Sequence, residues 1–152
     1  MRLIKTLAIG GLVLLMTACA NDRQKEAEAW LKEADTQFEQ GHYDEAKAAI
    51  DSIRKLYPNS IDTRKKALTL QQNIDLKVAQ DELALTDSLL QLVQHDFDYQ
   101  QTKVEKDKAA LRATAEELTM LTKTRMKRDS LRTQCEVLGA KIRYIHKKQK
   151  EK

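Results

Sequence analysis

The sequence predicts an all-α protein in which a short helical hairpin is followed by long helices that form an antiparallel hairpin or a coiled coil. Glycine and proline together account for only five of the 152 residues, against roughly 12% in average proteins. Seven aromatic residues in a chain that is 33% charged cannot fill a thick core. Apolar residues instead recur at steps of three and four, as in amphipathic helices. A β-sandwich, a β-barrel and a disulfide scaffold are thereby excluded.

The first residues have the layout of an export signal. Arg2 and Lys5 form a basic start, and an apolar run continues from there to Met16. A membrane-spanning helix needs about 20 apolar residues, and this run is shorter and is followed at once by charged residues. We therefore expect a removable signal peptide over residues 1–18.

The residues at the end of this signal resemble the lipobox of bacterial lipoproteins. Thr17 and Ala18 are small, and Cys19 follows them. The resemblance implies that Cys19 carries the lipid, in the form of acyl chains such as palmitate, and that residues 19–26 form a tether. Ala20 then implies the outer membrane, and the lack of an acidic cluster favours its periplasmic face over the cell surface. The alternative is an ordinary signal peptide in which the cysteine occurs by chance.

Residues 27–60 predict two short antiparallel helices. Their apolar periodicity is interrupted by a glycine and ended by a proline, as expected for a turn and a helix stop. The segment resembles a tetratricopeptide repeat, whose period is 34 residues. The residues at that family's signature positions, with the phenylalanine displaced by one place, are Trp30, Ala34, Phe38, Gly41, Tyr43, Ala46, Ile50, Ile53 and Pro58. Four of the seven aromatic residues lie in this segment, so we expect most of the core volume here.

A second repeat is not expected. A shift of 34 residues places Asp75 and Gln80 where the family has glycine and alanine. Because a lone repeat cannot bury its own apolar faces, we expect the next helix to cover it. We also expect no concave peptide groove within a single copy, and we expect Trp30, Phe38 and Tyr43 to hold the shape of a docking platform without necessarily touching a partner.

Residues 61–152 predict long helices with one break. Aspartates within residues 94–101 favour a turn there, and Thr102 and Glu105 have the spacing of a capping box at a new helix start. A single uninterrupted helix is the alternative. The last helix carries a seam at steps of four and three, which is typical of a coiled coil, and this seam consists of Leu131, Cys135, Leu138, Ile142 and Ile145.

The helix after Pro58 carries two neighbouring apolar stripes, so we expect it to contact more than one neighbour. One stripe includes Leu85, Leu89 and Leu92. Charge is also divided: residues 19–100 hold 16 acids and 10 bases, whereas residues 101–152 hold 7 acids and 15 bases. An antiparallel return would therefore set opposite charges side by side. The basic C-terminal end either is solvated or touches an anionic surface.

No catalytic constellation is evident. His42, His95 and His146 lie in separate segments without metal-ligand spacing, so we expect no metal, no cofactor and no enzymatic activity. Cys135 is the one cysteine besides Cys19, and it either packs in the seam or links two copies. Without residues 1–18 the net charge is only +2, which argues against nucleic-acid binding.

The plan resembles lipoproteins of Bacteroidales-type bacteria and, more loosely, adaptors of outer-membrane assembly. That resemblance implies a non-catalytic envelope lipoprotein that docks a protein partner and is held at the membrane by its lipid. Self-association through the C-terminal coiled coil is left open. A different hypothesis is a holdase-like periplasmic chaperone whose basic helical arm collects unfolded clients.

Overall fold

The computed structural model describes residues 22–151, and these are almost entirely helical. The described part of α1 covers residues 22–39, and three further helices follow: α2 is Tyr43–Leu56, α3 is Ile61–Ala109 and α4 is Ala115–Lys150. No strand occurs between residues 22 and 151, so the predicted all-α class is confirmed. The expected signal peptide and Cys19 lie outside the described residues.

The chain divides into two compact units, with the boundary between Asp75 and Leu76. In the first unit α1, α2 and the beginning of α3 pack together. Gln24 Nε2 on α1 donates a hydrogen bond to Thr63 Oγ1 on α3 at 2.9 Å, which sets the starts of these two helices side by side. Lys47 near the start of α2 pairs with Asp75 at 3.0 Å, so α2 runs antiparallel to α3. The expectation that the next helix covers the hairpin is therefore confirmed.

The core of the first unit is built from small and aliphatic side chains. Its buried apolar residues are Ala27, Ala34, Ala46, Ala49, Ile50, Ile53, Ala67, Leu70 and Ile74. The aromatic residues of the hairpin are not part of this buried core. Trp30 is 38% exposed, and the other three aromatic residues of the hairpin are half-buried. Alanines let the helix backbones approach closely, and the rings consequently lie at the edges of the contact.

The turn that connects α1 and α2 depends on Gly41. Its φ of +81° is a left-handed conformation that disfavours a Cβ atom. The Gly41 N–H donates to the Phe38 carbonyl at 3.0 Å and the His42 N–H donates to the Gln37 carbonyl at 2.9 Å, which satisfies the end of α1. At the second turn Arg64 Nη1 donates to the Pro58 carbonyl at 2.9 Å.

The described part of α1 includes residues from the segment expected to be a tether. Residues 22–26, which were expected to belong to a tether, are helical. They are also attached to the rest of the unit, since Gln24 bonds to Thr63 and the Tyr57 hydroxyl donates to Glu26 Oε2 at 3.2 Å. The helix therefore begins at or before residue 22.

The second unit is an antiparallel hairpin of α3, from Leu76 onwards, and α4. Three contacts define its register: Lys103 with Glu117, Gln100 with Thr124, and Phe97 with Arg128. Each step back along α3 is matched by a step forward along α4, as antiparallel packing requires. The interior includes Ala79, Val93, Phe97, Val104 and Ile145. The predicted antiparallel hairpin is thus present within one chain.

The predicted position of the helix break is wrong. Helix α3 continues through residues 94–101 to Ala109, because Phe97 and Val104 are buried in the hairpin and hold this segment in the helix. Thr102 does not cap a helix: its hydroxyl donates to the Asp98 carbonyl one turn earlier at 2.8 Å. The break lies at residues 110–114 instead.

The turn at 110–114 contains the one non-glycine residue with positive φ in the described chain, Leu111 at +56°. Asp107 O accepts hydrogen bonds from the N–H groups of Arg112 at 2.7 Å and of Ala113 at 3.2 Å. Thr114 then begins α4 with a reciprocal capping box, in which its hydroxyl accepts from the Glu117 N–H and its own N–H donates to the Glu117 carboxylate.

Candidate functional site

A groove of about 580 Å³ lies between α1 and the first turns of α3. Both helices contribute residues at the same internal spacing: Glu28, Leu31, Lys32 and Asp35 from α1, and Lys66, Thr69, Leu70 and Asn73 from α3. The groove is not formed within the single repeat, because its second wall comes from α3, outside residues 27–60. The beginning of α3 takes the place that the first helix of a following repeat would occupy.

The groove combines an apolar floor with charged rims. Leu70 is buried and Leu31 is half-buried. Lys32 and Lys66 are exposed, and neither ammonium group has an ion-pair or hydrogen-bond partner among the described residues. Glu28, by contrast, already accepts a hydrogen bond from Gln24 Nε2 at 2.8 Å. The arrangement can therefore receive an apolar side chain on its floor, carboxylates beside Lys32 and Lys66, and a cationic group beside Asp35.

The signature residues of the repeat support this groove from behind. Ala34, Ala46, Ile50 and Ile53 are buried in the core. Gly41 makes the turn described above, and Pro58 lies between α2 and α3. None of these residues lines the groove, so their contribution is to its shape.

The aromatic residues lie elsewhere on the unit. Phe38 and Tyr43 contact each other at the closed end of the hairpin, with ring centroids 6.0 Å apart. Trp30 and Tyr57 line a separate, shallower depression together with Glu26. Trp30, Phe38 and Tyr43 are not among the residues that line the groove.

The residues that line the groove do not include any predicted site residue. A usable signal was present, because the α1 positions recur on α3 after an offset of 38 residues, from Glu28 to Lys66 and from Asp35 to Asn73. A search with the 34-residue period of the family compares the wrong residues, since the turn around Pro58 and the start of α3 shift the register.

Nothing in the described chain resembles a metal centre: no group of three or more His, Cys, Asp and Glu side chains in residues 22–151 is arranged to hold an ion. His42 is instead within 3.0 Å of the Gln37 side chain. Cys135 is half-buried and has no disulfide partner among these residues.

A membrane span is likewise not found among residues 22–151, where no helix is both long and apolar enough to cross a bilayer.

Two ion pairs of the second unit shift the pKa values of their members. Lys103 Nζ is 2.5 Å from Glu117 Oε1. The hydrogen bond from Lys103, with further help from the Thr114 N–H, lowers the pKa of Glu117, and the same ion pair raises the pKa of Lys103. Likewise the hydrogen bonds from Arg128 lower the pKa of Asp129. The first pair joins α3 to the start of α4, and the second lies within α4.

The fold and the groove define an all-α protein with a tetratricopeptide-like hairpin at its N-terminal side. A comparison with protein families agrees, since the model of the tetratricopeptide repeat matches residues 28–60. No match was found among curated proteins or among solved structures. Repeats of this type are typically non-catalytic scaffolds that mediate binding to protein partners. The chain therefore has a protein-interaction architecture.

Proposed function

We propose that this protein is a non-catalytic interaction scaffold of the bacterial envelope, anchored by a lipid on Cys19 at the periplasmic face of the outer membrane. The observation that carries the proposal is the groove between α1 and α3, with two unpaired lysines above an apolar floor. The lipobox-like residues before Cys19 support the anchor. The match to the tetratricopeptide repeat supports the binding role.

The chemistry of the groove suggests what a partner presents. Leu31 and Leu70 offer an apolar surface on which a leucine-sized side chain loses its contact with water. Lys32 and Lys66 flank this surface with unpaired ammonium groups. The favoured ligand is therefore a protein segment with an apolar side chain whose acidic neighbours face Lys32 and Lys66, away from Asp35. The lysines contribute mainly to selectivity and association rate, because they are exposed.

The docking proposal is tested by crosslinking in the native envelope, followed by capture of the tagged, lipidated protein and a high-salt wash. We expect one dominant partner at fixed stoichiometry. The double variant Lys32→Glu, Lys66→Glu should reduce its capture about tenfold or more, since it turns attraction into repulsion. Lys55→Glu is the matched control, because Lys55 is an exposed lysine of the same unit that lies outside the groove. Equal losses in the two variants would contradict the assignment of the groove.

The anchor is tested separately with Cys19→Ser. Several acyl chains bind a membrane far more firmly than a single one. The wild-type protein should therefore fractionate with the outer membrane and incorporate labelled palmitate. The variant should do neither. Membrane association of Cys19→Ser at the wild-type level would refute the lipid anchor while leaving the docking proposal intact.

The alternative function is a holdase-like chaperone. It is favoured by the end of α4, where Lys147, Lys148 and Lys150 follow an exposed Tyr144. Such an arm should suppress aggregation of many unfolded envelope proteins and lose this effect steeply with salt. A single partner that survives the high-salt wash would exclude this alternative.

Self-association also belongs to the proposal, but the C-terminal seam is already used within the chain. Ile145 is buried, and Leu131, Cys135, Leu138 and Ile142 are half-buried in the hairpin with α3. A second copy therefore needs a different surface.

A further inference from the structure

The described part of the second unit leaves a regular apolar stripe uncovered. Leu85, Leu89 and Leu92 on α3 are 69%, 50% and 66% exposed. Their steps of four and three keep them on one side of the helix, as in helices that pack against a partner helix. Val93 and Phe97 on a neighbouring side already fill the contact with α4. The leucine stripe is therefore additional to the intramolecular interface.

This stripe lies beside a groove on one face of the hairpin. The groove, of about 400 Å³, is lined by Glu82 and Thr86 from α3 and by Thr133, Gln134, Val137 and Leu138 from α4. Leu85 and Leu89 follow Glu82 by three and seven residues, so they share its side of α3. Val137 is 61% exposed on the opposite rim. We refer to this surface as the groove face.

Charges on the groove face are segregated by helix. Glu82 and Asp96 bracket the leucines of α3, fourteen residues apart. Lys127 and Lys141 bracket Gln134 on α4, also fourteen residues apart, which is about 21 Å along either helix. Glu82, Lys127 and Lys141 have no ion-pair partner among the described residues, and Asp96 approaches only the His95 ring, at 3.9 Å.

The register of the hairpin sets these charges level with one another. The register follows from the contacts of Phe97 with Arg128 and of Gln100 with Thr124. Extended towards the start of α3, this register places Glu82 level with Lys141 to within about one helical turn. The same register places Asp96 at the height of Lys127. The groove face thus has an acidic half on α3 and a basic half on α4, with matched spacing.

We propose that the groove face binds a second copy of this chain, related by a twofold axis parallel to the long helices. This operation lays α3 of each copy on α4 of the other at equal height, so that Glu82 meets Lys141 and Asp96 meets Lys127 of the second copy. A twofold axis across the helices would instead lay α3 on α3, with Glu82 against Asp96. The charges therefore select the first arrangement, an isologous four-helix contact.

The size of the face is sufficient for a dimer. The hairpin extends over residues 76–109 of α3, which is about 50 Å, and two helices side by side are about 20 Å wide. Its face therefore covers on the order of 1,000 Å², compared with about 800 Å² per partner in stable complexes. The three leucines would lie near the middle of this contact, where exclusion of water contributes most.

The test is sedimentation velocity on the full chain in a mild detergent, with helix content followed by circular dichroism. We expect a dimer whose dissociation constant rises about tenfold or more in Glu82→Lys, Asp96→Lys, because each α3 then faces the lysines of the other copy. Adding Lys127→Glu and Lys141→Glu to the same chain should restore dimerisation. Glu136→Lys is the matched control, an exposed acid of α4 outside the groove, and should leave the dimer unchanged.

Two further variants separate the apolar contribution from the charges. Leu85→Ala, Leu89→Ala should dissociate the dimer while the helices remain folded, whereas Leu68→Ala, an exposed leucine of α3 in the first unit, should not. The single change Glu82→Lys weakens the proposed dimer but would strengthen an α3-on-α3 dimer. A wild-type chain that stays monomeric at its highest soluble concentration would overturn the proposal, as would failure of the fourfold charge exchange to restore association.

Discussion

Replacing Leu111 by glycine should stabilise the protein. Leu111 has a φ of +56°, and a residue with a Cβ atom loses roughly 1–2 kcal/mol in this left-handed conformation. Its side chain is 95% exposed, so removing it sacrifices no burial. Glycine loses more backbone freedom on folding, which costs roughly 0.5–1 kcal/mol. The net gain expected for Leu111→Gly is therefore roughly 0–1.5 kcal/mol, with a central value of about 0.75 kcal/mol.

The measurement is urea and thermal unfolding followed by circular dichroism. A gain of 1 kcal/mol raises the midpoint temperature by about 2–4 °C in a chain of this length. Leu111→Ala is the control for loss of the side chain, because it keeps the Cβ atom and should remain within about 0.5 kcal/mol of wild type. Leu111→Asn should lie between the two, since asparagine tolerates this conformation better than other residues.

The same assay locates the helix break. His95 lies inside α3, so His95→Gly should be less stable than His95→Ala by about 0.8–1 kcal/mol. In a continuous helix followed by a left-handed turn, glycine should be less stable than alanine at position 95 and more stable than alanine at position 111. The reasoning would be refuted if Leu111→Gly were no more stable than Leu111→Ala, or if glycine stabilised position 95.

Other consequences can be checked with the same purified protein. Thr114→Ala should lower the free energy of unfolding by about 1 kcal/mol through loss of the helix cap, whereas Thr102→Ala should not lower it, and equal losses at both sites would contradict the cap assignment. Ile50→Ala should cost about 2–5 kcal/mol because Ile50 is fully buried, while the exposed control Leu56→Ala should change stability by less than about 0.5 kcal/mol. The pKa of Glu117 is lowered in the folded protein, so its ion pair stabilises the fold at pH values above 4.5, the ordinary pKa of this carboxyl. This stabilisation is lost as the pH falls through the lowered pKa. In a carboxyl NMR titration Lys103→Met should therefore raise the pKa of Glu117, and an unchanged pKa would refute the ion pair.

The helical class and the hairpin were predictable because they depend on local signals. Gly41 interrupts the periodicity where a left-handed turn is needed, and Pro58 ends the second helix. The steps of three and four along α3 predicted two stripes, and one of them indeed packs on α4 through Val93 and Phe97. Such patterns depend on the period of the helix alone, so they can be read without knowledge of tertiary contacts.

The break and the groove were not predictable in the same way. Thr102 with Glu105 and Thr114 with Glu117 are equivalent capping boxes in sequence. What distinguishes them is the burial of Val104, which keeps the first site inside α3. Leu111 is not a residue that signals a left-handed turn, so the turn depends on packing on both sides of it. The groove was missed because it forms between segments whose offset differs from the family period.

The alanine interior of the first unit determines which substitutions this protein tolerates as its sequence drifts. Its buried alanines are Ala27, Ala34, Ala46, Ala49 and Ala67. Every other residue except glycine has a larger side chain than alanine, so substitutions at these positions destabilise the fold chiefly by crowding. Inside the second unit, the fold is destabilised chiefly by smaller side chains that leave cavities in place of Phe97, Val104 and Ile145. Diverged copies of the chain should therefore keep their buried alanines up to Ala67 and their large buried residues after Val93, even where the surface has been replaced.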